Sequence, residues 1–319
     1  MGSADHFDSI IIGGGHAGLS AGIYLSRAKA RVMIIEEGTI GGQMVLTHEI
    51  SNYPGVESVS GFQLALIMKK QAKNFGCDLK PNVSVKSLTL DSEIKKVTLS
   101  DGSEMTSDVI ILTPGGRSRM LGVHGEERLK GRGISYCSTC DGDFFTGKEI
   151  VVVGGGNSAL EEAVALTKYA SKVTVIHQFD HFQAFEQAIE DAKNNQKIRF
   201  LMESAITAFY GDEKLESIDI KELKTGETTR FRTDGAFIFI GYIPNTGFLA
   251  GIIDLNDRGE IITGHNMSTN IPGVYAAGDC IAKTYRQVTT AVADGTIAAL
   301  ASLDYLNNIK VHRKKLIKV

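Results

Sequence analysis

Cysteine, proline and an excess of either charge are what this chain of 319 residues has little of. Its four cysteines, Cys77, Cys137, Cys140 and Cys280, are too few for a secreted disulfide framework at this length, and one pair alone is closely spaced. A reducing cytoplasm is therefore the expected compartment. Five prolines against 35 glycines, with 43% hydrophobic and 22% charged residues, exclude a disordered or fibrous chain. Lys plus Arg is 34 and Asp plus Glu is 37, and the net charge of −3 excludes wholesale binding to nucleic acid or an anionic membrane. The opening MGSADHFDS holds no cationic region followed by an apolar stretch, so no secretory signal is expected. Residues 236–253 are uncharged over a membrane-spanning length, but Pro244, Asn245, Thr246 and several glycines make them a strand followed by a turn, and no membrane span is expected. The length itself, at ~150 residues per domain, predicts two domains with cores of their own.

What the chain does have is one unit twice. Ser9 to Ile12 is a β-branched run leading into Gly13-Gly14-Gly15-His16-Ala17-Gly18, a small-residue helix pattern over 19–28, and an apolar strand over 31–35 that ends at Glu36. In such a βαβ unit Gly13 permits the tight turn, Gly15 lets backbone approach a pyrophosphate, Gly18 lets helix and strand pack closely, and the carboxylate of Glu36 accepts from ribose hydroxyls. The pattern returns at Glu149 to Val153, Gly154-Gly155-Gly156-Asn157-Ser158-Ala159, a helix over 160–169 and a strand over 172–176. There Ala159 replaces the third glycine and His177 stands where an acid belongs. Two nucleotide units imply two ligands, or one ligand and one relic. Short alternating strands fill 76–112, with Asp101-Gly102 a hairpin signal, and the style repeats over 197–240. After Pro244 come a buried strand ending at Gly278-Asp279 and a long helix from Arg286 to about Tyr305. The predicted fold class is α/β, with two Rossmann-like, three-layer ββα dinucleotide-binding domains, the second inserted into the first: 1–116 with 246–319, and 117–245.

Cys137-Ser138-Thr139-Cys140 precedes the second nucleotide strand. Zinc would need two further ligands, and Cys77 and Cys280 lack companions at finger spacing, so no metal is expected. A purely structural disulfide fits a reducing cytoplasm poorly. A redox dithiol is the reading that remains, since thiols at this spacing exchange readily.

From about residue 7 to 306 the sequence resembles the low-molecular-weight thioredoxin reductases of the flavoprotein disulfide reductase superfamily. The resemblance is carried by Gly13 to Gly18, Gly41-Gly42-Gln43, Asn52-Tyr53-Pro54-Gly55, Gly131 to Gly142 (GRGISYCSTCDG), Gly154 to Ala163 (GGGNSALEEA), Gly241 to Asn245, and Gly273 to Asp279 with Tyr285-Arg286-Gln287. It implies a homodimeric oxidoreductase with FAD on the discontinuous domain and a pyridine-nucleotide domain carrying the cysteines. Cys140 would take electrons from the flavin, Cys137 would attack the disulfide of a thioredoxin-like partner, and Asp141 would shuttle a proton to the thiolate. Gly13, Gly15 and Gly18 would cradle the pyrophosphate, with Glu36 at the adenosine ribose and Gln43 and Asn52 on the flavin side. Gly278 and Asp279 would hold the ribityl chain or pyrophosphate region, with Arg286 and Gln287 near the isoalloxazine. Plainer uses remain for some of these: Asp141 as a turn residue, Gly278-Asp279 as a helix cap, Asn52 as a loop amide.

One stretch departs from the family. NADPH-dependent relatives carry His-Arg-Arg-x-x-x-Arg after the second βαβ strand, whereas this chain reads His177-Gln178-Phe179-Asp180-His181-Phe182-Gln183. Each charge-assisted bond to a 2′-phosphate contributes ~1.5–3 kcal/mol, so losing two weakens NADPH by about two orders of magnitude or more. NADPH is thereby disfavoured and the NAD(P)H question left open, with Gly154, Gly156, Ala159 and His177 a possible nucleotide remnant. The expected donor is ferredoxin, flavodoxin or another carrier. An atypical NAD(P)H site, a dithiol oxidase passing electrons to oxygen, and a flavin-bound redox sensor are the alternatives. The cationic run His312-Arg313-Lys314-Lys315 with Lys318 reads as a dock for an acidic carrier, as a segment folding over the flavin, or as a solvated helix end.

Overall fold

The computed structural model describes residues 5–47, 50 and 52–316, leaving aside the side chains of 46 and 314–316. Two compact units separate within it, one running to Arg117 and resuming at Ile243, the other spanning Ser118–Tyr242. The crossing segments Gly116–Ser118 and Tyr242–Pro244 hydrogen-bond to each other as a two-stranded sheet.

In the first unit the strand Asp5–Ile12 lies between Val32–Ile35 and Glu104–Leu112, parallel to both. Asp78–Lys80 extends the sheet on one side, and Val274–Ala276 adds in parallel beside Ile110–Leu112. Lys95–Leu99 pairs antiparallel with the first half of Glu104–Leu112 around Asp101-Gly102, the hairpin that dipeptide predicts. Central strands of a sheet covered on both faces must be apolar on both, and here the alternation divides them. Ile11, Ile34, Val109 and Ile111 join the helices' core, while Ile10, Ile12, Ile35, Ile110 and Leu112 join the core on the other face. Cys77 and Cys280 are buried, one in each of these cores.

The second unit repeats the plan more plainly. Glu149–Val153, Lys172–Ile176, Ile198–Leu201 and Gly235–Ile238 form a parallel sheet. Ile150, Val152, Val173 and Val175 face the helices, and Val151, Val153 and Ile176 face Ile206, Phe209 and Ile218 of an antiparallel three-stranded sheet, Ser204–Tyr210, Ser217–Glu222 and Thr228–Arg232. Helix, parallel sheet and antiparallel sheet are the three layers expected from the sequence.

Element ends differ in instructive ways. The helices after the glycine turns are His16–Arg27 and Asn157–Leu166, starting three residues before the expected Leu19 and Leu160. The last helix begins at Val288, not Arg286, and runs to Leu316, well past Tyr305. Its polar end is held by tertiary ion pairs. Lys310 Nζ lies 2.8 Å from Asp8, and Arg313 lies 2.9 Å from the buried Asp108 and 3.3 Å from Glu93. Arg313 is thus committed within the chain, and the Lys314, Lys315 and Lys318 side chains, on which the rest of that reading falls, lie outside those described. Among the described residues no helix is long and apolar enough to cross a membrane.

Two outcomes follow from this packing. A Cβ on Gly295 would lie 2.1 Å from the Ala17 carbonyl oxygen, so Gly295→Ala is expected to lower the thermal midpoint. Overpacking of ~1–3 kcal/mol outweighs the ~1 kcal/mol that alanine gains over glycine inside a helix, and a raised midpoint contradicts this packing. Burial pushes the thiols of Cys77 and Cys280 up to about 12. Iodoacetamide at pH 8 is therefore expected to modify Cys137 and Cys140 in the reduced native protein and to reach the other cysteines only after unfolding, as peptide mass mapping would show.

Candidate functional site

In the first unit the sheet ends in a turn that only backbone can fill. Gly13 has φ +108, and a Cβ there would lie 2.1 Å from the Thr113 carbonyl oxygen. One on Gly18 would lie 2.0 Å from the Gly13 oxygen, which is how closely the helix His16–Arg27 sits on the turn. Gly15, by contrast, faces open space, with nothing within 4 Å of its added Cβ. The Glu36 carboxylate accepts from the amides of Gly14 at 2.6 Å and Gly38 at 2.9 Å, so it is fixed beside the turn. Gly41 donates to the Gly14 carbonyl at 2.8 Å, which brings the short 3-10 helix Gly42–Leu46, with Gln43 on it, against the same turn.

The chain returns here after residue 273. Gly278, at φ +84, packs against Ala17, and Asp279 follows it. Burial pushes the Asp279 carboxyl above the usual range, opposed by Lys283, whose ammonium lies 3.2 Å from Asp279 and 2.8 Å from Asp294. The Asp279 oxygen that faces the Lys283 ammonium is Oδ1. The Arg286 Nε donates to the Asp279 carbonyl at 3.4 Å, and its guanidinium pairs with Glu260. Asn52 donates to Gln287 Oε1 at 3.4 Å. Three small groupings result: the turn with Glu36 and Gly42–Leu46, Gly278-Asp279 with Arg286, and Asn52 with Gln287. Open space at a helix N-terminus suits a pyrophosphate, and the Glu36 carboxylate fixed beside it can accept from ribose hydroxyls, so these residues fit a dinucleotide. Glu260 and Lys283 are additions that no motif announced, and His16 lies inside the first glycine motif without a role read for it. His16 opens the helix with a buried Nε2 lacking a hydrogen bond, and burial pushes its imidazole down to about 4.

The second turn has the same skeleton with a different lining. Gly154 has φ +136, and its added Cβ would lie 2.3 Å from the Phe239 carbonyl and 2.9 Å from the Ala159 methyl. At Gly155 a Cβ would strike the His177 ring at 2.4 Å. Burial pushes that imidazole below the usual histidine value, and its Nε2 is 3.1 Å from the His181 carbonyl, which fixes a proton on that nitrogen. Gln183 donates to the Gly155 carbonyl at 2.8 Å and bridges Gly156, and the Phe185 amide donates to Asn157 Oδ1 at 2.6 Å. Residues 177–185 are therefore laced along the second turn. No guanidinium lies within 177–183.

Cys137 and Cys140 are joined in a disulfide at the start of the short helix Ser138–Asp141, where the Cys140 amide donates to Cys137 Sγ at 3.2 Å. Ser138 donates to Glu162, on the helix Asn157–Leu166. Burial pushes the Asp141 carboxyl above the usual range; the bond from Ser135 opposes that and neighbouring Asp143 adds to it. A carboxyl so placed carries a proton closer to neutral pH than a free one does.

A family model, the pyridine nucleotide-disulphide oxidoreductases, matches residues 7–295. A thioredoxin reductase from Peptoclostridium acidaminophilum is 45% identical over 307 residues, covering 94% of this chain and 97% of the relative. One from Bacillus subtilis (strain 168) is 40% identical over 311 residues, covering 97% and 98%. The crystal structure of thioredoxin reductase from Streptococcus pyogenes MGAS5005 superposes with a TM-score of 0.92 at 39% identity, covering 96% of this chain and 100% of that one. With a dinucleotide turn in each unit and a cysteine pair on the second, the chain belongs to the pyridine nucleotide-disulphide oxidoreductase family and is a thioredoxin reductase-like flavoenzyme, a disulfide oxidoreductase for which FAD is the supported cofactor.

Proposed function

We propose that the protein passes electron pairs from FAD through the Cys137–Cys140 disulfide to a thioredoxin-type protein disulfide, and that its donor is a carrier of the ferredoxin or flavodoxin type rather than NADPH. In this reading residues 1–116 and 246–319 hold FAD, residues 117–245 carry the redox pair, and the enzyme works in the cytoplasm as a homodimer. When bound, FAD supplies a two-electron store.

Gly13, Gly15 and Gly18 hold the pyrophosphate against the helix N-terminus, and Glu36 takes the adenosine ribose. Gln43 and Asn52 lie on the flavin side, Gly278 and Asp279 take the ribityl chain or pyrophosphate region, and Arg286 and Gln287 flank the ring. Cys140 accepts the electrons, opening the disulfide. Asp141 gives a proton to the resulting thiolate. Cys137 then attacks the partner disulfide, and Cys140 resolves the mixed disulfide, which restores the enzyme's own bond and leaves the partner as a dithiol.

One observation carries the donor assignment. The place where a 2′-phosphate needs guanidinium groups holds His177, Asp180 and Gln183, with the neutral His177 ring against Gly155. Gly154, Gly156 and Ala159 keep the helix packed on its sheet, a role that needs no nucleotide. The test is an anaerobic titration followed by flavin absorbance, with NADPH, NADH and then reduced ferredoxin added in turn. Reduction by ferredoxin with no bleaching at micromolar nucleotide is the expected result. Rapid bleaching by micromolar NADPH overturns the donor assignment and makes this an NADPH-dependent enzyme with an atypical site.

A further inference from the structure

Proton handling at the cysteine pair turns on one hydroxyl that the mechanism above does not use. Ser135 ends the two-residue strand Ile134–Ser135 and is buried. Its Oγ lies 2.6 Å from Asp141 Oδ2 and 3.2 Å from the Cys137 carbonyl oxygen, and it accepts from the Cys137 amide at 3.1 Å. A serine hydroxyl has one proton and two lone pairs, so it cannot donate to the carboxyl and the carbonyl at once. The geometry offers it both acceptors, and that pairs naturally with a carboxyl that gains and loses a proton.

We propose that Ser135 is a positioning residue that holds the Asp141 carboxyl in both of its protonation states, turning its single hydroxyl proton between the carboxylate and the Cys137 carbonyl. With Asp141 ionised, Ser135 donates to Oδ2. With Asp141 protonated, the carboxyl O–H donates to Ser135 Oγ and the serine proton swings to the Cys137 carbonyl. The contact between Oδ2 and Oγ survives either way, so the carboxyl does not reorient when the proton leaves. When the disulfide takes the electron pair that the proposed function draws from the flavin, the S–S bond breaks to two thiolates and the Asp141 proton moves to one of them. In the return step the proton of the resolving thiol goes back to Asp141, and both partner thiolates, one released by the Cys137 attack and one by resolution, are protonated from solvent. Serine neither gains nor loses a proton over the cycle, and no further reactant is required.

The inference rests on Asp141 as the proton carrier, and acidic groups stand near it among the described residues. Asp143 lies on the same turn, and from the packed helix Glu162 reaches Ser138, with Glu161 beside it. Loss of the serine donor removes a bond that favours the ionised form, so the carboxyl should protonate at higher pH.

The experiment follows single-turnover reduction of an oxidised thioredoxin-type protein by pre-reduced holoenzyme across pH 5 to 9. Ser135→Ala is expected to shift the limb set by Asp141 upward and to slow transfer about tenfold, a part of the ~10²–10⁴ that a positioned acid or base contributes, while the flavin spectrum stays as in the wild type. Ser135→Thr, which keeps the hydroxyl, restores the wild-type limb. Should the alanine variant not fold, Ser135→Gly also lacks the hydroxyl and carries the same expectation. If Asp141→Asn removes the limb while Ser135→Ala leaves it in place, the role of Ser135 is overturned and that of Asp141 stands. If Asp141→Asn leaves the profile unchanged, Asp141 is not the carrier and both readings fall.

Discussion

In both units a backbone carbonyl occupies the place that a side chain would need. Thr113 crowds Gly13, Phe239 crowds Gly154, and both glycines are left-handed. A buried strand must reverse into a helix here without leaving a gap beneath the helix N-terminus, and only a residue without Cβ allows so close an approach. Everything that concerns ligands is arranged around that constraint. Helix amides point outward from the turn, the residue that ends the next strand comes beside it, and the site opens at the carboxyl ends of the strands.

The two turns then diverge through their neighbours rather than their skeletons. Around the first, Glu36 is tied to two amides and Gly15 faces open space. Around the second, an imidazole lies against Gly155 and the following segment is hydrogen-bonded along the turn. A common fold therefore carries two different linings, and the charge and shape set after each second strand decide what can bind. The cysteine pair illustrates the same division. Its disulfide needs only spacing, while a half-buried carboxyl, Asp141, and a buried hydroxyl, Ser135, lie beside it.

Much of this was readable from residue order alone. Glycine spacing, the acid at Glu36 and the alternating strands announce the architecture because each reflects a local steric or burial rule. Helix starts were read too late because His16-Ala17-Gly18 and Asn157-Ser158-Ala159 show no apolar periodicity, though they already lie on the helix. The end of the last helix was missed for a related reason. Asn307 to Arg313 is mostly polar, and its Lys310 and Arg313 pair with Asp8, Glu93 and Asp108, partners far away in sequence. Thr113 belongs to no motif, yet its carbonyl shapes the first turn. Ser135 and Glu162 sit inside legible motifs, but only coordinates show which groups their side chains reach.

The central claim is that electrons leave the flavin through Cys137 and Cys140 to a protein disulfide. It is tested most directly by reducing the holoenzyme anaerobically with dithionite, removing the excess, and adding an equimolar oxidised thioredoxin-type protein. The account predicts that the yellow colour returns as thiols appear on the partner, and that Cys140→Ser stays bleached. A flavin that remains reduced beside an intact partner disulfide, and recovers its colour only when oxygen is admitted, would contradict it.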